Sequence, residues 1–383
     1  MNKFSIILGA LYGDEGKGSV ANNKCSDAKN PLVVRFSGGH QVGHTVVYND
    51  IRHVFSNFGS GTLKGVPTYW SEYCTVDPMG VFKEGNILRK LGPIPMVYYN
   101  ANALITTPFD KLMNLNDANF KINGTVGVGF GTTIQRNEDH YHLHMRDLLY
   151  PTIRDEKIRL IRKYYKAAFD LYDKNYHRII DEEELKFKEA CDDLIQKHEI
   201  VNSINDVYFG NGDLIFEGSQ GIMLDMDHGF FPNVTRSNTT SKNAFKIIDD
   251  IIFKDQHNII DTYYITRAYQ TRHGNGFLSN EDLDNSIIKI NPLETNVDTG
   301  YQGKFRRSIL DYNQLKYAIS CDKYYNKYSN SNLVITCTDH INGKIPITIN
   351  GDIKYLSPTE ISNWLKTDSC FTSNSDKGDL EIQ

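Results

Sequence analysis

GALYGDEGKGSVANN (residues 9–23) and VVRFSGGHQVGHTVV (residues 33–47) decide how this chain is read. Each holds a Gly-rich turn that follows a short apolar run, Phe4 to Leu8 for the first and Leu32 to Phe36 for the second. Such runs read as buried parallel strands that feed loops at their carboxyl ends. Gly-rich turns in that position expose several backbone N–H groups together, the geometry that holds an anionic phosphate chain. The two turns also carry Asp14, Lys17, His40 and His44. The first reading is therefore a nucleotide site near the start of the chain, with a helix opening at Gly16 to Val20.

The phosphate turn is unusual. A P-loop has the pattern G-x-x-x-x-G-K-[ST], but Leu11 stands five residues before Gly16 and Gly18 follows Lys17. An acidic residue inside an anion-binding turn is unfavourable unless a cation bridges it or it serves as a base. Asp14 is thus either a catalytic or ligating carboxylate or a simple helix cap. His44, flanked by glycine, suits donation to oxygens on which charge develops.

Composition narrows the class. The 383 residues are 40% hydrophobic and 23% charged with a net charge of −5, ordinary for a globular enzyme and without the basic bias of a nucleic-acid binder. No apolar run reaches the ~20 residues of a membrane span, and Met1 to Leu8 lacks a signal-peptide pattern, so a cytoplasmic protein is expected. Six scattered cysteines without a C-x-x-C pair read as reduced thiols.

Further along, residues 54–80 read as a loop-dominated segment able to fold over a ligand. Gly124 to Gly131 (GTVGVGFG) lacks the last glycine of G-x-G-x-x-G and precedes no clear helix, which argues against a dinucleotide fold. Arg154 to His198 has helical spacing, and Asp213 to Phe216, Thr262 to Ala268 and Leu333 to Thr336 read as strands. A helix is expected after Ser237-Asn238-Thr239-Thr240, whose polar side chains suit an N-cap. His140, His142 and His144 would share one face of a strand, but without a neighbouring acidic or thiol ligand they read as a surface or nucleotide-phosphate contact rather than zinc.

GDEGKG, GGHxxGHT, FEGSQGIMLDMDHGFFPNVTRSNTT (216–240) and RAYQTRHGNGF (267–277) together resemble the adenylosuccinate synthetases in order and spacing. The resemblance runs from about Lys3 to about Asp311. It implies an α/β fold, P-loop-related: a large central, mainly parallel sheet flanked by helices, one domain over 1–383 with smaller lobes at 54–130 and 280–383. It also implies a homodimeric ligase joining L-aspartate to C6 of a 6-oxopurine nucleotide, with GTP or ATP as donor, Mg²⁺ as cofactor and no nucleic-acid partner.

Residue by residue, the resemblance makes Asp14 the base at purine N1, with Lys17, His44 and Gln220 as the other catalytic groups. Gly13, Glu15, Gly16, Lys17, Gly18, Gly43, His44, Thr45 and Asp339 would hold the triphosphate, and Asp14 with the Gly43 carbonyl would hold Mg²⁺. Asp14, Gln41, Thr125, Gln220, Thr235 and Arg136 would meet the purine monophosphate. Thr299, Gly300, Arg306 and Arg307 would capture aspartate.

Departures from the family pattern bear on the substrate. Gln41 replaces an asparagine, Val126 a threonine and Val128 an arginine. In the donor pocket Thr336-Cys337-Thr338-Asp339 keeps only the aspartate of T-K-x-D, and Thr372-Ser373-Asn374-Ser375 stands for the closing S-T-G-P. Phage relatives that condense aspartate with dGMP are the alternative, although they often lose the carboxylate that Asp14 retains. A nucleotide-binding regulator on the same fold is the second alternative.

Overall fold

The computed structural model describes residues 1–116, 125–170, 176–252, 258–291, 294, 303–326, 328–375 and 378–383. Ten strands form the main sheet: β1 (Lys3–Gly9), β2 (Leu32–Arg35), β3 (Thr68–Trp70), β4 (Val97–Asn100), β5 (Glu199–Val201), β6 (Leu214–Glu217), β7 (Ile259–Arg267), β8 (Asn330–Thr336), β9 (Ser369–Thr372) and β10 (Glu381–Ile382). Their spatial order is β10-β9-β8-β7-β1-β6-β2-β3-β4-β5. Every pairing is parallel except β9 with β10.

Helices cover both faces: α1 (Lys17–Ser26), α2 (Pro78–Leu88), α3 (Pro108–Asn116), α4 (Phe130–Glu138), α5 (Pro151–Phe169), α6 (Tyr176–Lys197), α7 (Lys242–Asp250), α8 (Tyr312–Lys323) and α9 (Pro358–Leu365). The two-residue period of β1 explains the layering. Phe4, Ile6 and Leu8 join Phe216, Tyr264 and Leu333 in one core with Ile247 of α7 and Leu315 of α8. Ile7 points the other way, into a core with Val20 and Ala21 of α1. A strand covered on both faces must be apolar at nearly every position, as β1 is. A further core gathers Phe58, Trp70 and Tyr99 with Ile158 and Ile161 of α5 and Leu194 of α6.

β1 lies inside the sheet, and the chain leaving it through α1 re-enters at β2, beyond β6. Ligands of open α/β sheets bind in the crevice outside the carboxyl ends of such strands. Register places Glu217 opposite Arg35 and Arg35 opposite Trp70 at that edge. The segments 54–130 and 280–383 both contribute strands to this sheet.

Four local expectations are corrected. Residues 54–80 are largely buried and supply β3 rather than a loop-dominated cover. A helix does follow the second glycine cluster: α4 opens after Gly129, which takes a left-handed conformation. None of Ser237 to Thr240 caps α7, whose N-cap residue is Ser241 and has no side-chain cap. The N–H groups of Thr239 and Thr240 go instead to the buried Asp225 carboxylate. His140 to His144 is not a strand; the His142 and His144 rings stack at 5.5 Å. Among the described residues no helix is long and apolar enough to cross a membrane.

Candidate active site

The turn after β1 is wound by residues with positive φ, 93° at Gly13, 57° at Asp14 and 95° at Gly16. Gly16 is the N-cap residue of α1 and no side chain caps that helix, so Asp14 is not a structural cap. Glu15 folds back, its Oε1 accepting the Leu11 N–H at 2.7 Å, and this closes the loop. A Cβ on Gly9 would lie 2.3 Å from Glu15 Oε2, 2.4 Å from the Gln220 carbonyl and 3.0 Å from Lys17 Nζ. Those three groups therefore converge on a point that only glycine leaves open.

The turn is clamped from its far side. Arg267, at the end of β7, donates through Nε to the Asp14 carbonyl at 2.5 Å. Thr336, at the end of β8, donates to the Glu15 carbonyl at 2.9 Å, and Thr271 donates to the Gly13 carbonyl at 3.2 Å. The Asp14 carboxylate lies 3.2 Å from His273 Nε2. Burial raises its proton affinity, but His273, Arg267 and Lys17 together outweigh this and hold it below its ordinary value. Burial pushes Glu15 up and Lys17 down, the cost of two charges held in a dry turn.

His44 opens the strand His44–Tyr48, and its Nδ1 lies 2.5 Å from Glu217 Oε1 at the end of β6. Ser60 donates its hydroxyl to the same oxygen and its N–H to Oε2 at 3.1 Å. Burial alone would raise Glu217; His44, Arg35 and Ser60 reverse that and bring it down to about 2. A charged carboxylate there fixes the His44 proton on Nδ1. Nε2 is then the other end of the ring, buried and without a hydrogen-bond partner among the described residues. A Cβ on Gly18 would lie 2.7 Å from His44 Cβ, so the first turn of α1 packs against this histidine.

Other buried polar atoms around the crevice also lack hydrogen-bond partners among the described residues: both amide atoms of Gln41, Oε1 of Gln220 and Oε2 of Glu15. Buried polar groups are normally bonded, so a group of unpaired ones marks where a polar ligand belongs. The loop from Ile222 to Ser241 is pinned beside them, because the Gly38 N–H donates to Ser237 Oγ at 2.9 Å. Thr235 on that loop is buried. Thr125 precedes α4, with its hydroxyl donating to Asn114 Oδ1 at 3.1 Å.

Residues 6–367 match the family model of adenylosuccinate synthetase. The chain belongs to that family. It is 28% identical over 84% of its length to the adenylosuccinate synthetase of Thermoplasma volcanium, of which it covers 73%. It is 30% identical over 82% of its length to that of Francisella philomiragia, of which it covers 74%. Two solved structures share the fold across the whole chain. One is the fully ligated Plasmodium falciparum adenylosuccinate synthetase, with a TM-score of 0.66, 18% identity and 87% of that chain covered. The other is cyanophage S-2L succinoaminodeoxyadenylate synthetase bound to dGMP and dATP, with a TM-score of 0.64, 15% identity and 95% of that chain covered. The chain is accordingly a carbon–nitrogen ligase of adenylosuccinate synthetase type, acting with aspartate on a purine nucleotide.

The residues expected around the donor base fall where β8 ends. Thr338 donates its N–H to the Ser373 carbonyl at 3.3 Å, joining the two segments expected around the donor base. The Asp339 side chain is half-exposed, and its carbonyl accepts from Lys289 Nζ at 2.8 Å. Arg306 and Arg307 lie on the strand Phe305–Ser308, paired antiparallel with Gln270–His273. Arg306 is engaged by Glu281 at 2.5 Å and Arg307 by the Lys289 carbonyl at 3.1 Å. Thr299 and Gly300 lie outside the described residues.

One expected contact is overturned. Arg136 is fully buried, with Nε on Asp110 Oδ1 at 2.8 Å and Nη2 on the Ile105 carbonyl at 2.8 Å. A guanidinium saturated inside the protein holds α3 and α4 together and presents nothing to a phosphate. Conversely, Glu217, Ser60, Arg267 and His273 were assigned no role from sequence. The signal for Glu217 was a carboxylate closing an apolar strand; for His273 it was the alternation that puts it on the same strand face as Thr271.

Among the described residues no group of three or more His, Cys, Asp or Glu side chains is arranged to hold a metal ion. A nucleotide-borne magnesium ion takes most of its oxygens from phosphates and water and needs only one or two from protein. Asp14, partly exposed in the phosphate turn, fits such a role.

Proposed function

We propose that this ligase joins L-aspartate to C6 of a 6-oxopurine nucleoside monophosphate of IMP type, with GTP or ATP as donor. The observation that carries the reading is the buried His44–Glu217 pair, on a histidine that packs against the first turn of α1 and whose Nε2 has no hydrogen-bond partner among the described residues. Mere binding of a nucleotide needs no such buried carboxylate–imidazole couple.

The purine C6 oxygen is a poor leaving group. Asp14 takes the proton from N1, which makes O6 nucleophilic toward the γ-phosphorus; the bond to the donor's bridging oxygen breaks and the nucleoside diphosphate leaves. The aspartate amine then attacks C6 and inorganic phosphate departs with its oxygen. Glu217 supports a second proton on His44 once phosphate oxygens approach, and Nε2–H then donates to them as charge builds. Lys17 offsets phosphate charge. Mg²⁺, when bound, would neutralise the donor's phosphates, held by Asp14 and the Gly43 carbonyl. Gln220, Gln41, Thr235 and Thr125 would hold the acceptor nucleotide, and Arg306, Arg307, Thr299 and Gly300 the aspartate. A homodimer belongs to the same proposal.

The departures at Gln41, Val126 and Val128 favour a second reading, with dGMP as acceptor. Phosphate release measured with Mg²⁺, triphosphate and aspartate across IMP, dIMP, GMP and dGMP separates the two. Strict dependence on both aspartate and a monophosphate is expected. Asp14→Asn should lower turnover by roughly 10²–10⁴-fold while circular dichroism is unchanged; a variant that turns over within about tenfold of the wild type would remove Asp14 as the base.

A further inference from the structure

Lys289 is tied twice to the short turn that carries Asp339. Its N–H donates to the His340 carbonyl at 3.0 Å, and its Nζ folds back to donate to the Asp339 carbonyl at 2.8 Å. That turn, Thr338–His340, follows β8, and Thr336 at the end of β8 donates to the Glu15 carbonyl of the phosphate turn. The Asp339 carboxylate is 48% exposed, with His340 Nε2 3.6 Å from its Oδ2. A carboxylate and an ammonium therefore sit on one turn beside the phosphate turn, and both can be reached by a ligand. The ammonium comes from 50 positions earlier in the chain. Cys337, at the position where T-K-x-D has lysine, supplies none.

One N–H of Lys289 Nζ goes to the carbonyl, which leaves two donors for anything that settles against Asp339. The donor purines differ in what they offer such a pair. Guanine carries donors at N1 and N2 and an acceptor at O6, so a carboxylate on the first two and an ammonium on the third satisfy the whole edge. Adenine in the same orientation turns its N1 acceptor to the carboxylate and its 6-amino donor to the ammonium. Two donors that meet, or two acceptors, leave desolvated groups without partners, which is costly. Hypoxanthine keeps N1–H and O6 and lacks only the 2-amino group.

We infer that Lys289 is a specificity residue of the donor site: its ammonium, beside the Asp339 carboxylate, reads the oxygen at C6 of the triphosphate's purine. This rests on the reading of Asp339 as the group that meets the donor base, and it selects GTP over ATP.

The test is KM and kcat for GTP, ITP and ATP in the wild type, Lys289→Met and Asp339→Asn, with Mg²⁺, aspartate and the monophosphate that supports turnover. Lys289→Met should raise KM for GTP and for ITP about tenfold and leave that for ATP within about twofold, with kcat unchanged. A lysine that only secures the turn would affect all three donors alike, so an equal rise, like no change at all, overturns the inference. Thermal protection by each triphosphate with Mg²⁺ gives the same comparison without turnover. Wild-type preference for ATP overturns it by itself. An Asp339→Asn protein with unaltered KM for GTP would instead sink the Asp339 reading, so the two failures are distinguishable.

Discussion

Glu217 shows how much one buried residue decides. It accepts from His44, from the Ser60 hydroxyl and from the Ser60 N–H, and it stands opposite Arg35, whose buried guanidinium lies over the Trp70 ring at 4.8 Å. Glu217→Gln removes the negative charge that His44, Ser60 and the Arg35 guanidinium act on. We predict a kcat loss of roughly 10²-fold or more with KM for the triphosphate little changed. We also predict a loss of about 1–3 kcal/mol in urea unfolding at neutral pH, since the amide nitrogen of glutamine cannot accept and leaves a buried His44 or Ser60 donor unpaired. The pH sign follows from the folded value near 2 against an ordinary 4.5. A depressed carboxylate contributes stability that is complete above 4.5 and is lost as pH falls toward 2. Unfolding curves between those values should slope less in Glu217→Gln, and an equal slope would contradict the assignment.

At the scale of elements, the turn from β1 into α1 works because its neighbours leave no room. Gly9→Ala would put a methyl group 2.3 Å from Glu15 Oε2 and 2.4 Å from the Gln220 carbonyl, backbone that cannot yield. Nucleotide protection against thermal unfolding should disappear in that variant, with Tm lowered as well. Gly16→Ala is strained differently, by φ of 95° and by Thr336 Cγ2 at 3.2 Å, and should cost about 1–2 kcal/mol. The turn was legible because glycine, a carboxylate and lysine at fixed spacing between an apolar strand and a helix have few other uses. Arg136 misled for the opposite reason. Its place in the chain after a glycine cluster suggests a phosphate, but Asp110, from a separate helix, takes its guanidinium into the core.

At the scale of the molecule, β7 and β8 bring residues more than 250 positions from Asp14 onto its turn, Arg267 and Thr336 among them. The same sheet edge joins Asp339 to the 372–375 segment through Thr338 and Ser373. If Asp339 reads guanine in the donor, Asp339→Asn should raise KM for GTP about tenfold or more and leave that for ATP nearly unchanged; equal effects on both would argue against it. The sequence by itself determined the family, the central strands and the phosphate turn, because apolar period, glycine spacing and a few charged residues are local properties of the chain. Only the tertiary structure decided which buried partners those residues have: Glu217 behind His44, His273 against Asp14, Asp110 around Arg136. Such pairings depend on sheet order and register, and these are settled by packing between segments that no local pattern relates.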